Sequence, residues 1–549
     1  MSFSGNPTLD AWMVGIVCGL IAHHGIFIKG EWHIQAPRII VGHLWIFFVL
    51  TLASYITRGH GFGKIFDVLL LMSSGYLPGL LFSIIIYRFF FHQLTQTTFP
   101  GPWYARITKL WHVWACRDSK NHVVLNRLQN KYGDFVRTGP SELTIFRPEI
   151  FMALDGPHSE CMKSDWYDLL IPNLALVTAR DRGTHAVRRR QWNRAFSTKA
   201  LQLHDRKIMR HLDELDRHIE AEAKGRRVSN ARNLFYWFAF DAMGDFVLGK
   251  SFGMQQNQEW HHVIFRLQRA LSLLGPLSPA PWLIHVGFQL APRILQLKDW
   301  FDMVAWCQTQ MDMRIKDSSR YQEPDITHYI MMEDVENQKI IDDARAWLSG
   351  DSLQAIVAGS GPIANALLGT FTELGRDHTT QEKLYYELMD IDVSDTKVLA
   401  NLPFLNACID ETLRLYPALM TGGTRMTTQK GMTIAGRFIP PYTNIVAPQY
   451  LISRRQDCFV DPLKFVPERW TTSPEMLLNP SATKPFGTGH TSCVGRPLAI
   501  DSLRFVIARL VKKYQFSFAP GEDGSGMGEH LKDQFVPNPG SLHLCFELR

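Results

Sequence analysis

The sequence predicts a mainly α protein, one large helical domain with small β-sheets, preceded by apolar amino-terminal segments. Two observations carry this expectation. Apolar-spaced stretches rich in helix formers dominate the chain from about residue 100 onward, and three uncharged apolar runs fill most of the first hundred residues. At 549 residues, 46% apolar and 20% charged, the chain is long enough for one large domain or two ordinary ones.

Residues 11–28, 39–56 and 68–87 carry no formal charge, and each approaches the length that crosses a hydrocarbon core. Up to three transmembrane helices are therefore expected. His23 and His24 near the end of the first run, and Pro78 in the third, leave an interfacial or re-entrant placement open for either. Asp10 precedes the first run and no basic region does, which argues against a cleaved signal peptide. An odd number of spans sets the amino terminus and the main domain on opposite sides. Arg88, Arg106, Lys109, Arg117 and Lys120 follow the third run and favour a cytosolic main domain, against the weaker bias of Arg58 and Lys64. In Phe99-Pro100-Gly101-Pro102 two prolines fix the backbone and remove donors, giving a stiff hinge. Residues 1–98 thus read as a membrane anchor and 99–549 as the main domain.

Within that domain, 201–223, 260–274, 343–374 and 381–389 are expected helices. Residues 135–146, 432–439 and 542–548 alternate or carry β-branched side chains, and 436–441 reads as a hairpin. No repeat of fixed period is present. The net charge of +6 is small for this length and the basic residues form no long run apart from Arg188, Arg189 and Arg190, so no nucleic-acid partner is expected. Eight scattered cysteines without a C-x-x-C pair argue against a zinc site or a disulfide framework and suit a reducing compartment.

The strongest chemical signal is Phe486-Gly487-Thr488-Gly489-His490-Thr491-Ser492-Cys493-Val494-Gly495. A cysteine between glycines leaves its sulfur open to a planar cofactor, and backbone amides in such a loop can donate to a thiolate. Alone, such a cysteine is more often a buried structural thiol. Upstream, Glu411-Thr412-Leu413-Arg414 puts opposite charges on one helical face, and Phe465-Val466-Pro467-Glu468-Arg469-Trp470 places a second charge pair among bulky apolar residues. Each is ordinary by itself; an exposed ion pair is the commoner meaning of the first.

In this order the three motifs resemble the cytochrome P450 family, in particular the membrane-bound fungal enzymes of secondary metabolism. The resemblance runs from about residue 100 to the carboxyl terminus. It implies the P450 fold, haem b with Cys493 as axial thiolate ligand, and Phe486, Gly489 and Gly495 shaping the loop around it. It also implies a buried charge cluster of Glu411, Arg414 and Arg469 that holds that loop. His185-Ala186-Val187-Arg188-Arg189-Arg190-Gln191-Trp192 is similar to the family's helix at the haem edge, with His185 and Arg189 one turn apart and aimed at a propionate; a solvated face suits Arg188 and Arg190. Arg425 takes the place of the family's other propionate-binding arginine.

Two positions depart from the family pattern. Thr491 stands where an arginine usually pairs with a propionate, so His490 or another cation is expected to compensate. In Ala358-Gly359-Ser360-Gly361-Pro362, the acid and threonine that deliver protons during oxygen activation are replaced by Gly361 and Pro362. Proline cannot donate to the carbonyl of Ala358, so a free acceptor persists without the threonine. Ordered water, Ser360 or a polar group of the substrate is the expected proton route.

The resemblance implies a monooxygenase acting on an apolar organic substrate by hydroxylation, epoxidation, desaturation or rearrangement. Electrons would come from NADPH-cytochrome P450 reductase, with cytochrome b5 as a further donor, and the membrane would be the endoplasmic reticulum. Isomerisation or dehydration without net oxygen insertion, and a non-catalytic haem-binding membrane protein, are the rival readings. Residues 535–542 are an expected wall of the substrate pocket.

Overall fold

The computed structural model describes residues 7–57, 63–316, 323–331 and 341–549. Three amino-terminal helices come first: α1 (Pro7–Ala22, continued by a wider turn at His23–Phe27), α2 (Ala36–Ile56) and α3 (Gly63–Ile86). Each is long and apolar enough to cross a membrane, and α2 exposes Leu44, Trp45, Ile46 and Phe48 on its flank. Pro78 sits inside α3 without ending it, so the third run is one continuous helix.

What joins α1 to α3 is a pair of small-residue ridges. A Cβ at Gly15 would lie 2.1 Å from the Met72 carbonyl oxygen, and one at Gly19 2.4 Å from that of Tyr76. Reciprocally, Gly75 and Gly79 abut the carbonyls of Trp12 and Ile16. Without side chains at these four positions the backbones pack directly, the device by which helices associate where no hydrophobic effect drives them. His23 closes the same seam through Nδ1 to Ser83 Oγ at 2.8 Å.

Beyond Phe99–Pro102 the chain folds into a helical body around one main apolar core. The helices Ala231–Leu248 and Ile341–Arg376 cross at its centre, flanked by Thr198–Lys224, Pro403–Leu415 and Arg496–Lys513. The second of these has a stretch, Trp347–Arg376, that is apolar enough to span a bilayer, yet it is 78% buried in the domain. Thr198–Lys224, His262–Leu271 and His378–Leu388 match the expected helices within a few residues.

The small sheets also form where alternation predicted them. Residues 135–146 make a hairpin of Phe135–Gly139 and Glu142–Ile145, and Met432–Ile434 pairs with Arg437–Ile439. The largest sheet runs Phe135–Gly139, Glu142–Ile145, Asn444–Val446, Arg425–Met426, Met162–Lys163. Its last pair matters for the site, because it sets Lys163 directly opposite Arg425.

Candidate haem-thiolate site

The long helix Ile341–Arg376, the loop 484–495 and the edge of the five-stranded sheet enclose a cavity of about 470 Å³. Cys493 lies in its wall, with its side chain open to that space. The loop that carries it turns at Gly487 (φ 68°) and Gly489 (φ 62°), and the Cys493 N–H donates to the Phe486 carbonyl at 2.8 Å. A side chain at Gly489 would strike the Asp155 carbonyl oxygen, 2.1 Å from an added Cβ. At Gly495 an added Cβ would come within 3.8 Å of Cys493 Sγ. Surrounding protein raises the Cys493 thiol above its ordinary value, opposed by the Gly495 N–H, the Arg189 cation and the Arg496 N–H.

One edge of the cavity is basic. His185 and Arg189 both line it from the helix Arg182–Ala195, and Arg189 donates to the Ser492 carbonyl. Burial, then the positive charge of Lys163 and other neighbours, holds His185 down to about 4, so its imidazole is neutral near pH 7. Arg425 donates to Asp155 at 2.8 Å and to the Tyr167 hydroxyl, and reaches Thr491 Oγ1 at 3.4 Å. Thr491 in turn donates to Asp155 at 2.8 Å.

Lys163, which sequence reasoning passed over, lines the same edge. It is buried, donates to the carbonyls of Leu176, Val177 and Ala179, and has no carboxylate partner among the described residues. His490, by contrast, is exposed and does not line this cavity, though its ring lies 5.9 Å from that of His185 on the far side of the same edge. Arg188 also departs from expectation. Rather than facing solvent it is buried, paired with Asp351 on the long helix and stacked 4.9 Å from the Trp347 ring, while Arg190 is exposed as expected.

On the opposite wall, Ala358, Gly359 and Pro362 face the cavity. Ser360 does not; it is fully buried, and its hydroxyl has no partner among the described residues. Phe535 and Val536 line the wall as expected, whereas Leu542 is buried elsewhere in the core. Val536 also accounts for Gly361: its Cγ1 would stand 2.8 Å from a Cβ at that position. Gly361→Ala should therefore cost about 1–3 kcal/mol through overpacking, and the same change made together with Val536→Ala should cost much less. Thermal unfolding of the two variants checks this, and an equal loss with and without the Val536 change would refute the steric account.

Glu411, Arg414 and Arg469 form one cluster, and all three are fully buried. Glu411 accepts from Arg414 Nε and Nη2 at 2.8 and 2.7 Å, from Arg469 Nε at 2.9 Å, and from the Val466 N–H and Trp470 Nε1 at 3.0 Å each. The remaining guanidinium donors satisfy carbonyls of Ser453, Val460 and Pro462 among others, which ties the segment before the cysteine loop to the helix Pro403–Leu415. Glu468 is not part of it and pairs with Lys383.

The model of the cytochrome P450 family matches residues 100–546. The chain belongs to the cytochrome P450 family. It is 34% identical over 546 residues to the cytochrome P450 monooxygenase FCK2 of Fusarium pseudograminearum, covering 97% of each chain. Identity to the P450 monooxygenase notG' of Aspergillus versicolor is 34% over 541 residues, 95% of each chain. It is 32% over 516 residues to the tryprostatin B 6-hydroxylase of Aspergillus fumigatus, 92% of this chain and 90% of that one. P450 proteins bind haem through an axial cysteine thiolate and draw electrons from a redox partner to oxidise an organic substrate.

Proposed function

We propose that this P450 monooxygenase oxidises a neutral, apolar organic molecule as a tailoring step in secondary metabolism, with Cys493 as the axial ligand of haem b. One observation carries the substrate reading. Among the described residues Asp155 is the single carboxylate lining the cavity, and Arg425 and Thr491 already occupy it. The wall away from the basic edge is built of side chains such as Leu169, Leu274, Ile284, Phe288 and Trp300. A cationic substrate would lose hydration there without a counter-charge, whereas an apolar one gains by burial. The relative named for 6-hydroxylation of tryprostatin B supports C–H hydroxylation as the reaction.

The donor set fits haem. Lys163 and Arg425 lie side by side across two strands, and like charges so placed repel unless an anion joins them. Arg425 has Asp155, but Lys163 and Arg189 have no carboxylate partner among the described residues, which suits the two propionates. Bound there, the haem would supply dioxygen activation, favoured by thiolate donation. Arg189, Arg425 and neutral His185 would hold its carboxylates, Lys163, whose three N–H groups already donate to carbonyls, would add only charge at that edge, and Phe486, Gly489 and Gly495 would keep the sulfur accessible. On the distal wall Pro362 has no N–H for the Ala358 carbonyl, so that oxygen can hold an ordered water or a substrate hydroxyl. Since Ser360 faces away from the cavity, such a water or substrate group is the favoured proton carrier.

Electron supply is assigned to NADPH-cytochrome P450 reductase, with cytochrome b5 as a second donor. Residues 1–98 are assigned as the anchor, and 99–549 as a catalytic domain on the cytosolic face of the endoplasmic reticulum. Protease added outside sealed microsomes should digest the domain; full protection would reverse the orientation. The function itself is tested by co-expression with the reductase and mass spectrometry of products. Product carrying one added oxygen, with matching consumption of NADPH and dioxygen, is expected. A rearranged or dehydrated product formed without NADPH would favour the isomerase or dehydratase reading instead.

A further inference from the structure

The loop between α1 and α2 folds back onto the outer face of the cavity wall. Arg180 is the hub of this contact. Its guanidinium grips Glu31 with two bonds, Nη1 to Oε2 at 2.7 Å and Nη2 to Oε1 at 2.8 Å, the fork geometry that gives arginine–carboxylate pairs their direction. The same Nη1 donates to Asp168 Oδ2 at 2.5 Å, and Nε donates to the Lys163 carbonyl at 3.1 Å. His33 Nε2 meets the same Asp168 oxygen at 2.9 Å, and both residues are buried. The His285 ring packs 5.9 Å from that of His33, and its helix, Trp282–Leu290, contacts α2. Arg180 fills the space between the two carboxylates, so this is an ion-pair network and not a cation site.

The short helix Asp165–Leu170 lies between this network and the cavity. Asp168 points outward to the loop, while Trp166, Tyr167, Leu169 and Leu170 line the cavity. On the inner side Arg425 fastens the Tyr167 hydroxyl. From Trp282–Leu290, Ile284 and Phe288 line the same space. Two wall elements of the cavity are thus held on their outer side by the anchor.

We propose that the α1–α2 loop positions the substrate-facing wall, with Glu31 and His33 clamping Arg180 and Asp168 so that the anchor shapes the cavity as well as tethering the domain. Removing the clamp leaves a buried Asp168 with fewer partners and frees the Asp165–Leu170 wall to shift, while Cys493 and the basic edge keep their own contacts. Binding of bulky molecules should suffer and haem loading should not.

The test uses the full-length chain in lipid nanodiscs and two iron ligands followed by their spectral shifts: miconazole, which fills the pocket, and imidazole, which needs only the iron. Neither depends on the native substrate, so failure here is separable from failure of the proposed reaction. Glu31→Ala with His33→Ala should retain the reduced carbonyl band, weaken miconazole by about tenfold, and leave imidazole unchanged. His33→Gln, whose amide can still donate to Asp168, should bind miconazole as the parent does, as should Lys29→Ala, an exposed change in the same loop. Parental miconazole affinity in the double variant overturns the proposal. So does loss of the carbonyl band, which would make the loop a folding element of the whole domain, and so does equal weakening of both ligands.

Discussion

Cys493→Ala is expected to abolish the strongly red-shifted Soret band of the reduced carbonyl form, because that shift reports thiolate donation to iron. The seven other cysteines provide the control. Cys408 and Cys458 are buried in the domain, and neither lines the cavity onto which Cys493 opens. Burial pushes the Cys408 thiol well above its ordinary value, and burial followed by the Asp457 charge pushes Cys458 up to about 12. Cys493 alone among the eight opens onto the cavity, and its loop aims the Gly495 and Arg496 N–H groups at the sulfur. Cys408→Ala and Cys458→Ala should therefore keep the band. An unchanged spectrum in Cys493→Ala would sink the ligand assignment.

Glu411→Ala is expected to destabilise the protein by about 3–5 kcal/mol, since it strands two buried guanidinium groups that share one carboxylate. That is a large part of the roughly 5–15 kcal/mol by which domains are usually stable. Most of the variant should therefore be recovered without haem. The comparison is Glu468→Ala, which removes a partly exposed pair with Lys383 and should cost at most about 1 kcal/mol. Comparable unfolding temperatures for the two variants would mean that the cluster adds nothing beyond a surface ion pair. pH should report on the same carboxylate. Burial acts to raise the Glu411 pKa, but Arg414 and Arg469 outweigh it and hold it below the ordinary value. A depressed folded pKa stabilises fully above the unfolded value of about 4.3 and loses that contribution as pH falls toward the folded one. If Glu411 governs acid lability, haem release should accordingly begin only below about pH 4.3, and release at clearly higher pH would show that another group titrates first.

The features legible from sequence are those written in short-range spacing. The three apolar runs, the turn chemistry of the cysteine loop, and the Glu411–Arg414 pairing depend on neighbours within a few residues, and the family resemblance joined them into one site. The charge cluster shows where such reading stops. The helical spacing that paired Glu411 with Arg414 said nothing of Trp470, whose indole donates to the same carboxylate.

What only the tertiary structure decided are pairings between residues far apart in the chain. Arg188 belongs to a basic run that suits a solvated face, and it is buried because Asp351 arrives from the long central helix. Lys163 carries no motif, and it joins the basic edge of the cavity because sheet register sets it opposite Arg425. Gly361 looks like a lost catalytic acid until Val536 is seen to occupy the space that a side chain would need. The pairing of Glu31 with Arg180 and of His33 with Asp168 spans more than a hundred residues between the α1–α2 loop and the helical body. In each case the local sequence supplies the charge or the missing side chain, and chain topology supplies the partner that gives it meaning. Electrostatic and steric contacts act over a few ångströms of space whatever their separation in sequence, so the sequence determined the chemistry available and the fold determined where it is used.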